Sequence, residues 1–518
     1  MARLSFKSDA SFFRKVAIGA VGARAVCADL ARHGHEVVEL ERGSTETKLW
    51  KDVKRKRIRI PDLVCLRCGL RVESRAKVKA ELSMSHNPIE QERAWDFGMV
   101  DADSVAFPVC VADKESSWSN GKLHNHVSYW HERNRVRWRT EGAINYFTVR
   151  TFRGAPHARK AMKGVTEGSE TSIVWAATFA SAGGEVDAVS AQTVTIRCAS
   201  SGRRQTRRIR AGQVVFLDVG DTVQPNQIIA SVAGPQRGAE LSCPGTLPHN
   251  HLQRILASRE RTQRFTGVKL ARLLKDRTQN DRIAELAHDS EEDIYVRLEG
   301  IGYLAAVAGE HLRPLVGPYL ACPDPQTQLE AVITLGEADT PEAVAILSEL
   351  LDDTRLPYFL RSAAAWCLSR TGLPDATARL VRAFADINQD IREEALDGIV
   401  AIGASALPQL LDGIGESDRD VAAGCAEALR QQDSIPSDAI ATLLAQLRKK
   451  NPSLWTVWLL GHVPDGSLAG PIAQLQDSRP HLHYAITLLW SFVQSWIARR
   501  WELQPGAVLP DREASHDA

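Results

Sequence analysis

Six residues able to do chemistry crowd into the positions between Asp62 and Lys77: Asp62, Cys65, Cys68, Glu73, Arg75 and Lys77. Asp62 and Glu73 offer the hard carboxylate oxygens that Mg²⁺ or Mn²⁺ takes as ligands. A cation beside them, Arg75 or Lys77, would offset the charge of an attacked phosphoryl group, so phosphodiester hydrolysis is the chemistry this set suits. Cys65-x-x-Cys68-Gly69 is half of a zinc knuckle, and a structural Zn²⁺ site needs two further ligands. Cys110, His124, His126 and His131 are the candidates to complete it through space. The alternative is that both thiols are ordinary turn and core residues.

For these side chains to meet, the stretch from 58 to 79 (IRIPDLVCLRCGLRVESRAKVK) must be a β-hairpin. Apolar runs over 61–66 and 70–77 flank a turn ending in Gly69, which is a hairpin signal. A turn centred near Arg67–Cys68 sets Asp62 nearly opposite Glu73, and strand alternation puts Glu73, Arg75 and Lys77 on one face. An ordinary hairpin with two solvated acids is the competing expectation. Ahead of it, residues 12–33 have helical apolar spacing, Gly34-His35 makes a turn, and Glu36–Leu40 reads as a strand.

This order and these residues resemble the core of the PD-(D/E)-x-K nuclease superfamily, the restriction-endonuclease-like fold. Pro61-Asp62 stands for the PD element and Glu73 for the second acid. Arg75 stands where the lysine of that motif is found, with Lys77 one strand period beyond. The resemblance implies Mg²⁺ (or Mn²⁺) held by Asp62 and Glu73, and a setting in restriction, repair or phage defence. Two departures stand out: the lysine is replaced, and Gly22, Ala23 and Arg24 occupy the first helix where many members carry a glutamate.

The 518 residues exceed one core and imply several domains of a globular protein, 44% apolar and 25% charged. Nine cysteines without a regular framework point to reduced thiols and a cytoplasmic setting. No secretory leader pattern is seen, and no uninterrupted apolar run long enough to span a membrane. A net charge of +1 conceals an asymmetry. Residues 51–80 carry eleven lysines and arginines against three acids, a balance of +8, whereas 281–430 carry 27 acids against 11 arginines and no lysine, a balance of −16. The first stretch suits a phosphate backbone, gripped by Lys51, Lys54, Arg55, Lys56, Arg57 and Arg59. A solvated face is the bland alternative for each charge run.

Farther on, 104–111 and 144–152 read as buried strands completing a mixed sheet, and Met84–Pro88 as a turn. Residues 118–138 interleave tryptophans, histidines and arginines, a composition that can stack on unpaired bases or simply pack locally. From 172 to 232 short strands are expected at 175–180, 194–198, 207–211 and 214–218. The phrase 215–230 (VFLDVGDTVQPNQIIA) resembles that of barrel-sandwich hybrid domains such as biotinyl and lipoyl carriers, with Asn226 where glycine is usual. No lysine occurs between Lys163 and Lys269, so no swinging arm exists and a binding or structural module remains. Its arginine-rich turn, Arg203, Arg204, Arg207 and Arg208, is a second candidate contact for nucleic acid. Residues 234–248 have linker composition, and 249–275 read as a basic helix interrupted at Gly267.

From about residue 280 the chain repeats. Segments starting at Arg297, Gln328, Arg361 and Arg392 align with spacings of 31, 33 and 31, and a further unit starts at Val421. Each has a first helix, a Gly- or Pro-containing turn and a second helix. They resemble HEAT-type helical hairpins stacked as an α-solenoid, because one hairpin cannot bury its apolar face alone. Residues 482–501 are apolar and suit a terminal solenoid helix better than an interfacial membrane helix.

The expected organisation is therefore multidomain: an α/β restriction-endonuclease-like domain (1–165), a small all-β barrel-sandwich-like domain (166–235), a linker and basic helix (236–280), an all-α HEAT-like solenoid (281–502) and a tail (503–518). The expected function is a metal-dependent DNA nuclease whose acidic solenoid recruits a protein with a basic face. The alternative is an inactive nucleic-acid-binding scaffold. No P-loop, HExxH or G-x-S-x-G is present, and Gly19-Ala20-Val21-Gly22 lacks a leading strand for dinucleotide binding.

Overall fold

The computed structural model describes residues 10–45, 58–87, 89–112, 138–161, 171–432, 434–463 and 466–490. They fall into two compact units, Met1–Ala308 and Gly309–Ala518.

The first unit opens with helix α1 (Ala10–Arg32), whose buried Val26 and Leu30 pack on Leu63, Val72, Ala106 and Tyr146. The helix ends in a glycine cap. Gly34 has φ +83°, its N–H donates to the Ala31 carbonyl at 3.0 Å, and the His35 N–H donates to the Leu30 carbonyl at 3.1 Å. Strands β1 (Val37–Glu39), β2 (Leu63–Cys65) and β3 (Arg71–Ser74) follow, then β4 (Leu82–His86) and β5 (Ser104–Phe107). After β6 (Cys110–Ala112) and β7 (Trp138–Thr140) comes β8 (Asn145–Thr148). The main sheet has the order β1-β2-β3-β5-β8; β3 and β5 are parallel and the other neighbours antiparallel, so it is mixed, as expected. Alternation decides the layers. Ala106 and Tyr146 face α1, whereas Val105, Phe107 and Phe147 join a second core with Met84, Trp95, Phe152 and Trp175.

Several local expectations are corrected. Met84–His86 belongs to β4 rather than a turn, because buried Leu82 and Met84 alternate along a strand; the turn comes after it, where the Asn87 carboxamide accepts from the N–H groups of Ile89 and Glu90. The strand expected over 104–111 is two strands, divided at Pro108, which has no N–H for a ladder. Strand 144–152 becomes β8 followed by a helix, Val149–Gly154. The Thr148 hydroxyl caps that helix by accepting from the Thr151 N–H at 3.1 Å.

Strand β9 (Ala158–Ala161) pairs with β10 (Thr171–Trp175), which also pairs with β4. Beyond them lie β11 (Ala177–Phe179), β12 (Gly184–Val189), β13 (Thr193–Cys198) and β14 (Arg204–Arg208), then β15 (Val214–Val215), β16 (Thr222–Val223) and β17 (Ile228–Ser231). They form two small sheets, β11-β17-β15 and β14-β13-β12-β16, around Val186, Val194, Ile196, Val223 and Ile229. Gly220 and Asn226 both adopt positive φ, 92° and 62°, the left-handed conformation asparagine tolerates. The arginine-rich segment is an edge strand, β14, and not a turn.

The basic helix is broken at 257–260, between His251–Leu256 and Arg261–Leu273, rather than at Gly267. Gly267 is there for packing: a Cβ would stand 2.9 Å from Leu256 Cδ2. Fully buried Glu299, on helix Ile294–Tyr303, receives Arg42 Nη2 at 2.8 Å and Arg272 Nε at 2.7 Å.

Among the described residues, the regular elements of the second unit are all helices. First helices Pro325–Ala338, Tyr358–Arg370, Gln389–Ile402 and Arg419–Arg430 alternate with Pro341–Asp352, Pro374–Arg382, Leu407–Gly413 and Ser437–Gln446. Side chains of Asp324, Thr340, Asn388 and Asp418 cap four of them by accepting backbone N–H bonds, about 1 kcal/mol each. Proline at the first helical turn (Pro325, Pro341, Pro374) is already set in helical φ. Among the described residues one stretch, Gln389–Gly413, is apolar and long enough to cross a membrane by composition. Gly403, at φ +70°, divides it into two solenoid helices. In the last segment described, Ile486 and Leu489 are buried and Trp490 Nε1 donates to Gln476 at 2.8 Å.

Small residues set the helix spacing. A Cβ on Gly336 would approach Cys367 Cβ to 2.7 Å, and one on Gly424 would approach Phe384 Cγ to 2.2 Å. Because Phe384 is itself buried, Gly424→Val should cost roughly 2 kcal/mol or more by overpacking. Urea titration checks this: the midpoint should fall with an unchanged m-value.

Candidate functional site

The hairpin is closed by backbone bonds from the Cys65 N–H to the Leu70 carbonyl and from the Gly69 N–H to the Cys65 carbonyl, both 2.9 Å. Gly69 has φ +74°. Leu63 faces Val72 across the strands, so the next pair outward is Asp62 and Glu73. Asp62 lies just before β2. Its Oδ2 accepts the Ser74 N–H at 2.7 Å, and its backbone carbonyl accepts the Leu40 N–H at 2.8 Å. Burial raises the Asp62 carboxyl well above the ordinary carboxylate range, and the charges of Glu73 and Glu41 raise it further; the Ser74 N–H and Arg75 act the other way.

Glu73 is buried and pairs with Arg75, Nη2 to Oε1 2.8 Å. Asp62, Glu73 and Arg75 are thus brought together as the residue pattern predicts, and Glu41, which no motif marked, joins them by position alone. Lys77 turns away to β4: its Nζ donates to Ser83 Oγ at 2.9 Å, and Ser83 donates onward to Glu81 at 2.9 Å. Burial lowers its ammonium to about 8. Gly22 on α1 meets the segment just after β3 so closely that a Cβ would stand 2.5 Å from Ala76 Cβ. That contact leaves no room for an acid at this position of the helix.

Beneath the hairpin runs a buried ion pair. Arg71 Nε donates to Asp103 Oδ1 at 2.9 Å and Nη2 to Asp103 Oδ2. The same guanidinium reaches the Gly98 carbonyl at 3.2 Å and Thr266 Oγ1 at 3.3 Å. Burial raises the Asp103 carboxyl, against the opposing pull of Arg71.

A second cluster sits at the turn end of the hairpin. Cys65 and Cys68 are joined by His35, which follows the capped end of α1, and by Cys243, from the glycine- and proline-rich segment after the 3₁₀ turn Gly238–Leu241. The expected partners differ. Cys110 is buried elsewhere, its Sγ 3.7 Å from the Ile18 carbonyl, and His124, His126 and His131 lie outside the described residues. The only signal for Cys243 in the chain is a cysteine followed closely by glycine (Cys243-Pro244-Gly245), as at Cys68-Gly69. A bond from the Cys68 thiol, helped by the N–H groups of Cys68 and Arg67, lowers the Cys65 thiol from its ordinary value against the opposing effect of burial.

Of the basic residues, Lys51, Lys54, Arg55, Lys56 and Arg57 lie outside the described residues, as does the aromatic stretch over 113–137. Arg59 donates to the Glu92 carbonyl at 2.8 Å. On β14, Arg204 pairs with Asp187 at 2.6 Å, Arg207 is half-buried and Arg208 is exposed, as is Arg203 just before the strand.

A family model described as HEAT repeats matches residues 313–399. No curated protein matches the chain. Among solved structures, E. coli YibA is 14% identical, with 48% of this chain and 93% of that chain covered and a TM-score of 0.25. Human deoxyhypusine hydroxylase in complex with glycerol is 15% identical, with 47% and 95% covered and a TM-score of 0.20. An engineered protein is 16% identical, with 47% and 78% covered and a TM-score of 0.22. The second unit carries HEAT repeats, in keeping with its paired helices.

Two predictions follow from the charges. Arg71→Met strands the Asp103 carboxylate and should cost about 3–5 kcal/mol, with Arg71→Met/Asp103→Leu recovering part of the loss in urea titrations. For Asp62 the folded state binds the proton more tightly than the unfolded chain does. Its contribution to stability is therefore greatest at low pH and is lost as pH rises from the unfolded value, about 3.9, through the raised folded one. Asp62→Asn, which keeps the uncharged shape, should accordingly be more stable than the wild type at pH 8, the gap closing towards pH 4. Paired denaturation curves check it.

Proposed function

We propose that the first unit is a divalent-metal-dependent nuclease acting on DNA, and that the HEAT-repeat unit docks a protein partner with a basic face. The carrying observation is the Asp62–Glu73 pair: two acids set opposite one another by the hairpin register, Asp62 raised by burial and then by the charge of Glu73, with Arg75 against Glu73. The donor set fits a hard cation, since Asp62 and Glu73, with Glu41 near enough to act on Asp62, offer only carboxylate oxygens. Bound there, Mg²⁺ or Mn²⁺ would polarise a phosphoryl oxygen and acidify a coordinated water. The chain's own groups do the rest. The Ser74 N–H fixes the Asp62 carboxylate, and Arg75 faces charge developing on the phosphoryl oxygens.

The mixed sheet behind α1 and the basic run at 51–59 support the same conclusion. Stacked helix pairs present long surfaces for proteins, and a stretch at −16 repels a nucleic-acid backbone. A second function, nucleic-acid binding without cleavage, is favoured by one observation: Arg75 replaces the motif lysine and is already engaged with Glu73.

Full-length protein incubated with linear DNA, circular DNA and RNA, with Mg²⁺ or Mn²⁺, separates the two. Cleavage should occur and fall roughly a hundredfold or more in Asp62→Asn and Glu73→Gln, with folding confirmed by circular dichroism. Mg²⁺ should also raise the wild-type thermal midpoint at pH 8 and leave that of Asp62→Asn unmoved. Salt-sensitive DNA binding with neither cleavage nor Mg²⁺ stabilisation would establish the binding function instead.

A further inference from the structure

The hydrolytic site makes no use of His35, Cys65, Cys68 and Cys243. Yet one donor atom from each lies within 4.8 Å of all the others. Two edges of the figure they form are Cys65 Sγ to Cys243 Sγ, 4.0 Å, and Cys68 Sγ to His35 Nδ1, 3.6 Å. A tetrahedron around Zn²⁺, with Zn–S about 2.3 Å and Zn–N about 2.05 Å, has edges of about 3.8 Å between sulfurs and about 3.6 Å between sulfur and nitrogen. Both edges match those that zinc would set, and the other four stay within 4.8 Å. The sulfurs of Cys65 and Cys243 are well beyond the roughly 2.05 Å of a disulfide.

The surroundings prepare each donor. His35 Nε2 lies 2.9 Å from the Leu241 carbonyl, which only accepts, so Nε2 carries the ring proton and Nδ1 turns its lone pair to the thiols. A backbone carbonyl fixing the tautomer in this way is the usual support of a metal-bound imidazole. The Gly245 N–H donates to Cys243 Sγ at 3.4 Å. The Cys243 N–H donates to the His33 carbonyl at 2.9 Å, and that bond holds the incoming segment against the end of α1. Gly69 and Gly245, at φ +74° and +86°, let the backbone fold around the sulfurs.

We propose that His35, Cys65, Cys68 and Cys243 bind one Zn²⁺ in a closed, structural Cys₃His site. Four protein ligands leave no open position, so the ion is a brace and not a catalyst. It ties the turn of the hairpin that carries Asp62 and Glu73 to a thiol 178 residues farther along the chain.

The test is metal analysis of the full-length protein purified under reducing conditions. One zinc per chain is expected, falling below about a tenth of an equivalent in Cys68→Ser and Cys243→Ser. Because serine variants risk misfolding, His35→Cys is the companion: it should keep the metal as a Cys₄ site. After exchange with Co²⁺, the wild type should show the charge-transfer and d–d bands of a tetrahedral thiolate site, shifted in His35→Cys. Wild-type protein that holds no zinc and develops no such bands on Co²⁺ titration overturns the proposal. So does full zinc content in a folded Cys243→Ser variant, or a Cys65–Cys243 disulfide found by mass spectrometry in the reduced preparation. No nucleic acid enters the measurement, so its outcome is independent of cleavage.

Discussion

The Arg71–Asp103 ion pair is the constraint on which the first unit turns. It joins β3 to the residue just before β5, the one parallel pairing of the main sheet, and parallel strands have no tight turn to set their register. A guanidinium buried at this depth is tolerable only when its donors are satisfied. Asp103, the Gly98 carbonyl and Thr266 do that from one loop and a helix. Alternation then does the rest. With Arg71 turned to the Asp103 side, Val72 must face α1, and Glu73 falls on the same side as Arg71, opposite Asp62. The chemistry of the hairpin is inherited from a charge pair that takes no part in it.

The helical unit is held by a different principle. Its caps and prolines make each helix start where the sequence says, but the distance between helices is set where a side chain is absent. Gly336 against Cys367 and Gly424 against Phe384 bring backbones together at spacings that any Cβ would open. This close stacking buries the alanine- and leucine-rich faces and leaves the acids exposed or half-buried, Glu330 and Glu394 apart. An acidic surface therefore accompanies the repeat without being needed to hold it together.

Much of this was legible in the chain because it is local. A hairpin needs only two apolar runs and a glycine turn, a helical repeat only its spacing, and a cap only one side chain near one N–H. Some of the expectations that failed were local too, and lost to a nearby competitor. The Thr148 hydroxyl started a helix inside a run of strand-forming residues, and the alternation of Leu82 and Met84 prevailed over the turn chemistry of Asn87-Pro88.

The sequence by itself determined the elements: helix α1, the strands around Asp62 and Glu73, the positive-φ turn at Asn226 and the HEAT repeats. Tertiary structure alone decided who meets whom. It set Glu41 beside Asp62, turned Lys77 to Ser83 and away from the acids, and carried Cys243 to His35, Cys65 and Cys68. The reason is physical. Secondary structure follows from interactions over a few residues. The field at a carboxylate, or the fourth donor of a tetrahedral cluster, depends on segments that the folding of the whole core brings within a few ångströms.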